Sequence, residues 1–139
     1  MKCVEFRGKD QTGIMNHSWF YGSLDLTFNP EFPKIMCKDR FGNTMHIGVG
    51  KGTVGQYTGI TDINNKKIYE LDVVQDRCGG FYLVKYSPQK MAFCLVQGNI
   101  EWTLCGFEEL KGTKTQTFEV IGNIVDNPEL INMCEQGCV

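Results

Sequence analysis

The chain has 139 residues, with 14 Lys or Arg against 16 Asp or Glu, a formal charge of −2, 42% hydrophobic residues, 16 Gly, 4 Pro and 7 Cys. That length supports one sizeable core, and the composition excludes a disordered or collagen-like chain. The acidic balance excludes a sequence-blind binder of polyphosphate backbones, which needs a basic footprint.

In chain order, the local periods favour strands. Lys2 to Arg7 alternates, with Val4 and Phe6 on one face and Glu5 and Arg7 on the other. Trp19 to Phe28 sets Leu24, Leu26 and Phe28 opposite Ser23, Asp25 and Thr27, the pattern of a half-buried strand. Asn29-Pro30 and Phe32-Pro33 interrupt the pairing. Ile35 to Lys38 and Thr44 to Val49 flank Asp39-Arg40-Phe41-Gly42-Asn43, a hairpin loop whose Gly is free to take a positive φ. Gly50 to Gly55 reads as a loop between strands. Further strands are expected at Val73 to Asp76, Phe81 to Tyr86, Met91 to Val96, Glu101 to Gly106 and Thr117 to Ile124. Cys78-Gly79-Gly80, Ser87-Pro88-Gln89 and Gln97-Gly98-Asn99 supply turns between them. The spacing predicts a sandwich or barrel, and the short connections favour antiparallel pairing. One helix is expected near the end: Asn127 is its N-cap, Pro128 its first residue and Gly137 its close, with Leu130, Ile131 and Cys134 as an apolar stripe.

The N-terminal MKCVEFRGKD has no apolar stretch of a secretory signal, and the longest apolar run, Met91 to Val96, is far too short to cross a bilayer. The expectation is therefore a cytoplasmic protein with no membrane association. Its odd number of cysteines (3, 37, 78, 94, 105, 134 and 138) should then be reduced thiols. The small net charge hides a split: residues 1–69 carry nine cations and six acids, and residues 70–139 five and ten. Such asymmetry either packs one half on the other or docks subunits head to tail.

Motifs for chemistry are weak. Gly50-Lys51-Gly52-Thr53-Val54-Gly55 matches G-x-G-x-x-G, but the following Gln56-Tyr57-Thr58-Gly59-Ile60-Thr61 lacks the helix whose amides would hold a pyrophosphate. A looser anion-binding nest of Gly-rich backbone and Lys51 stays open. Cys134 and Cys138 fall four apart, yet a zinc site needs two more ligands, and His17 and His46 are isolated. No cysteine is marked as an activated nucleophile, and the acid pairs Glu70/Asp72 and Glu108/Glu109 read as solvated faces. No enzyme, cofactor or metal is expected. The contiguous Trp19, Phe20 and Tyr21 cannot all face one core, so at least one ring meets solvent, a partner or a ligand.

Three stretches in order resemble the YopX family of phage and prophage proteins. They are Phe6-Arg7-Gly8 with Trp19-Phe20-Tyr21-Gly22-Ser23-Leu24, then Val54-Gly55-Gln56-Tyr57-Thr58-Gly59 with Asp62, Asn65, Lys67-Ile68-Tyr69-Glu70 and Asp72-Val73-Val74, and lastly Glu119-Val120-Ile121-Gly122-Asn123-Ile124 with Asn127-Pro128-Glu129-Leu130. One departure is Leu71, where the family usually has Gly in an I-Y-E-G-D turn. The resemblance implies a mainly β fold with a small Src-homology-3-like barrel, additional N-terminal antiparallel strands and a short C-terminal helix. It implies one YopX-like domain over 1–139, divided into a β segment (1–53), a barrel (54–125) and a helix (127–137). It also implies a phage origin and the cytoplasm of a bacterial host, and supplies no catalytic residue.

The function expected from these readings is a non-enzymatic binding protein acting on a host component, in counter-defence. It would sequester a small signalling nucleotide or a host protein within a homo-oligomer. Arg40, Lys51 and Arg77 are the candidate phosphate partners, and Trp19, Tyr21 and Tyr57 the candidate stacking rings. The alternatives are a nucleic-acid-binding β-barrel, disfavoured by the dispersed Lys residues, and a structural or assembly protein with the Trp19–Tyr21 strand as its contact.

Overall fold

The computed structural model describes residues 4–104 and 118–136. It is mainly β, with eleven strands in two antiparallel sheets and a short C-terminal helix among the described residues. The chain divides into two compact units, 1–57 and 58–139.

In the first unit, β1 (Phe6–Lys9), β2 (Trp19–Asp25), β3 (Lys34–Lys38) and β4 (Thr44–Gly48) form a meander, and the start of β5 (Gly55–Thr61) pairs with the other side of β1. The expected strand over 2–7 is thus displaced towards Lys9. The Asp39–Asn43 hairpin forms as expected: Gly42 takes φ +82°, while the Asp39 carboxylate accepts the amides of Phe41 and Asn43 at 2.8 and 2.9 Å. Glycine is obligatory at Gly22, where a Cβ would collide with the Met36 carbonyl of the neighbouring strand. Ile35 is fully buried, and Val49 packs over Gly8.

In the second unit the rest of β5 leads to β6 (Lys67–Tyr69), completing a six-stranded order β4-β3-β2-β1-β5-β6. Neither strand stood out in the sequence as a separate period. β7 (Asp72–Gln75), β8 (Phe81–Ser87), β9 (Ala92–Gln97), β10 (Ile100–Thr103) and β11 (Glu119–Asn123) form the other sheet, in order β10-β9-β8-β7-β11. The expected barrel over 54–125 is corrected here. The second sheet begins and ends on different strands, no closing pair exists among the described residues, and β5 and β6 belong to the first sheet. Hairpins zip β7 to β10 in sequence, and β11 then adds beside β7, which leaves β10 and β11 as separate edges among the described residues.

Strand alternation divides the apolar residues of this sheet between its faces. Ile68, Val74, Tyr82, Val84, Leu95, Leu104 and Phe118 form one cluster, in which the Tyr82 ring meets Trp102 and Phe118 edge-on at 5.7 and 6.0 Å. Val73, Leu83 and Cys134 form the other, joined by Phe81, Val96, Ile124 and Leu130. The helix α1 (Leu130–Gln136) therefore lies over the second face through Leu130 and Cys134. It starts three residues beyond Asn127, whose carbonyl accepts the Leu130 amide. Its expected end at Gly137 lies outside the described residues, as do parts of the expected strands 101–106 and 117–124.

Aspartates close turns throughout. Asp10 accepts amides from Thr12, Met15 and His17, Asp62 from Asn64, Lys66 and Val120, and Asp76 from Cys78 and Gly80 together with the Tyr82 hydroxyl. Each removes local backbone donors from the demand for sheet partners.

Candidate functional site

The β1–β2 register places Arg7 opposite Tyr21 and Lys9 opposite Trp19. Directly opposed residues of antiparallel strands share a face, so these four side chains stand on one side of the sheet and Phe6 and Phe20 on the other. The contiguous aromatics are thereby split, with Trp19 and Tyr21 together and Phe20 apart. On the far side of β1, Gly55 faces Arg7, and the Tyr57 amide donates to the Glu5 carbonyl at 2.7 Å. Alternation along β5 brings Tyr57 onto the face of Arg7. A glycine opposite Arg7 keeps that part of the face low.

The Arg7 guanidinium carbon lies 4.7 Å from the Trp19 ring centroid and the Lys9 ammonium 6.0 Å. Two cations thus share one indole quadrupole. Arg7 is buried, Trp19 half-buried and Tyr21 47% exposed, so Tyr21 presents the accessible ring while Trp19 is propped from below. The arrangement has aromatic surface for stacking with half-buried Lys9 beside it, while Arg7 is buried and Glu5, opposite Tyr57, adds an acid to the same face.

Of the six residues singled out in the sequence, Trp19, Tyr21 and Tyr57 come together on this face. Arg40 lies in the β3–β4 turn, 5.3 Å from the ring of Phe41. Lys51 is in the 3-10 turn Lys51–Thr53 and pairs with Glu31 at 2.8 Å. Arg77 belongs to a turn of the second unit and lines a small cavity of about 100 Å³ with Asp76 and Glu119. Arg7 and Lys9, the cations that do accompany the aromatics, were not singled out. The only local hint was their spacing of two, because cross-strand register is a tertiary property.

The Gly50–Gly55 motif is the loop between β4 and β5. It closes through Thr53 Oγ1 donating to the Gly50 carbonyl at 2.6 Å, and neither Gly50, Gly52 nor Gly55 adopts a positive φ. The alternating αR–αL backbone of an anion nest is therefore absent there. His46 Nδ1 lies 3.1 Å from Asp25 Oδ2, an acid–base contact. Hydrogen bonds from the Thr27 hydroxyl and amide, then from His46, hold the Asp25 carboxyl down at about 2. Burial pushes the Cys37 and Cys94 thiols up, and Cys134 up to about 11 with a smaller contribution from Glu135. These three thiols are poor nucleophiles at neutral pH. Among the described residues no three His, Cys, Asp or Glu side chains are grouped for a metal ion, and Cys138 lies outside them.

The molecule is thus a two-unit antiparallel β protein with a cationic–aromatic sheet face. The family model for the YopX protein matches residues 5–132, and the chain belongs to the YopX family. A search of the curated proteins gives no match. No helix among the described residues is long and apolar enough to cross a membrane.

Proposed function

We propose that this YopX-family chain is a non-enzymatic binding protein that takes a nucleotide on the cationic–aromatic face of its first unit. The observation that carries the reading is that Trp19, Tyr21 and Tyr57 share one sheet face with Arg7 and Lys9. A base stacks on the exposed Tyr21 ring beside Trp19, and the phosphate turns towards Lys9. The phage context implied by the family gives such binding a purpose: sequestering a host signalling nucleotide in the bacterial cytoplasm, within a homo-oligomer, as counter-defence. Arg40, Lys51 and Arg77 play no part in this version.

Isothermal titration of the full chain against mono-, cyclic mono- and cyclic dinucleotides tests it. Heat is expected with at least one of them, and Tyr21→Ala should weaken that binding about tenfold or more, the usual worth of one stacked base. No heat with any nucleotide refutes the proposal. The same face also suits a single strand of nucleic acid, for which stacking platforms flanked by cations are the common device. Retardation of an oligonucleotide at low salt, without heat from mononucleotides, would favour that second reading.

A further inference from the structure

We infer that the outer edge of β4 is a docking strand for an extended peptide that alternates acidic and apolar side chains. This goes beyond the nucleotide reading and uses a different part of the first unit. β4 is the end of its sheet, and among the described residues no strand lies beyond it. The Val49 amide donates to Pro33 and the Asp39 amide to Asn43, which fixes the hydrogen-bonded pairs of the β3–β4 ladder at the odd positions. The N–H and C=O groups of Thr44, His46 and Gly48 therefore point away from β3, and all three residues are exposed. Such an edge is a template for one more strand. It carries neither proline nor lysine to blunt pairing.

The chemistry of the incoming strand follows from the two faces it would join. One face carries Lys34, Met36 and Lys38 of β3 beside His46, and Asp25 offsets part of that charge by pairing with His46. The other carries Ile35 and Cys37 beside Met45 and Ile47. A strand with acids on the first face and apolar residues on the second complements both. At the C-terminal end of β4 a cavity of about 390 Å³ opens between Ile47, Gly48 and Val49 and the exposed Ile14 and Phe32. Asp10 also lines it, with its carboxylate oxygens engaged by Thr12, Met15 and His17. A Cβ on Gly48, which pairs with Lys34 on the first face, would meet nothing within 4 Å, so a peptide side chain has room beside it.

The test is amide chemical-shift perturbation of the ¹⁵N-labelled full chain, titrated with a short peptide of alternating glutamate and valine. Shifts are expected at Thr44, His46 and Gly48, and an alternating lysine–valine peptide should bind at least tenfold more weakly. Gly48→Phe fills the cavity mouth and Gly48→Pro removes one outward N–H without touching the β3 ladder; each should weaken binding about tenfold, the worth of one good contact. The first variant keeps the backbone donor, so the two effects are separable if the proline variant folds poorly. Equal binding of both peptides, or shifts confined to other residues, overturns the inference. So does concentration-dependent protection of the same amides without peptide, which would assign the edge to a second copy of the chain.

Discussion

Replacing Leu71 by glycine should stabilise the protein, even though it deletes a leucine. Leu71 adopts φ +75°, a region that costs a residue with a Cβ roughly 1–2 kcal/mol. The conformation is held from both sides: the Leu71 amide donates to the Val84 carbonyl at 2.9 Å, and its own carbonyl accepts the Ile124 amide at 3.0 Å. Asp72, buried next to it, accepts the Tyr69 amide at 2.8 Å and closes the same turn. Relaxation of the backbone would break these bonds, so the strain is retained. Leu71 is half-buried and belongs to neither apolar cluster of the second unit, so truncation removes little packing. Glycine returns about 0.5–1 kcal/mol through the greater freedom of the unfolded chain. The balance is a gain of about 0.5–1 kcal/mol, or roughly 2–4 °C in Tm for a chain of this size. Urea unfolding and calorimetry of Leu71→Gly against wild type measure it. Leu71→Val provides the opposite sign, since a β-branched residue fits positive φ worst. A glycine variant destabilised by about 1 kcal/mol or more would refute the reasoning and show that the leucine is held for its contacts.

Asp62 is buried and accepts three amides at 2.8–2.9 Å, so Asp62→Ala should cost about 3–4 kcal/mol in urea unfolding by orphaning them. Asp10 is held at about 2, chiefly by the Thr12 hydroxyl and further by the Met15, Thr12 and His17 amides, and Asp25 is held equally low. A depressed carboxyl contributes stability that is complete above its ordinary value and lost as pH falls from about 4 through 2. Circular dichroism during acid titration should therefore show Asp10→Asn flattening that part of the stability curve; an unchanged profile would count against the assignment. Among the four described cysteines, maleimide followed by peptide mass spectrometry should label exposed Cys78 first and Cys134 last at pH 7.5. Faster labelling of Cys134 would mean that α1 detaches readily.

The elements legible in the sequence were those whose cause is local. The Asp39–Asn43 hairpin needs one carboxylate and one glycine at fixed offsets, β2 and β3 show their alternation within a few residues, and β8 opens on a run of apolar residues bounded by turns. β5 was hidden because Gly55 and Gly59 interrupt its pattern, and Gly59 takes φ +88° within the strand. Its pairing with β1 supplies what its side chains do not announce. The closed barrel failed for a related reason: strand count and spacing limit the number of hairpins and leave open which edges meet. In the candidate site, the separation of Trp19 and Tyr21 from Phe20 follows from period two. The arrival of Arg7 and Lys9 beside them depends on a register set by the turn at Asp10, which no window of adjacent residues encodes.

The turn-closing aspartates also bear on how fast the protein folds. Asp10, Asp39, Asp62 and Asp76 each gather amides within two to seven residues of themselves, so these bends form at the low entropic cost of a short loop. The Asp10 carboxyl, held at about 2 in the folded protein, returns in the unfolded chain to its ordinary value of about 4. Refolding started below that pH begins with the Asp10 hinge between β1 and β2 protonated and poorer as an acceptor. The folding limb should slow there while the unfolding limb responds less, giving a kinetic signature of acidity in the bend that opens the first hairpin.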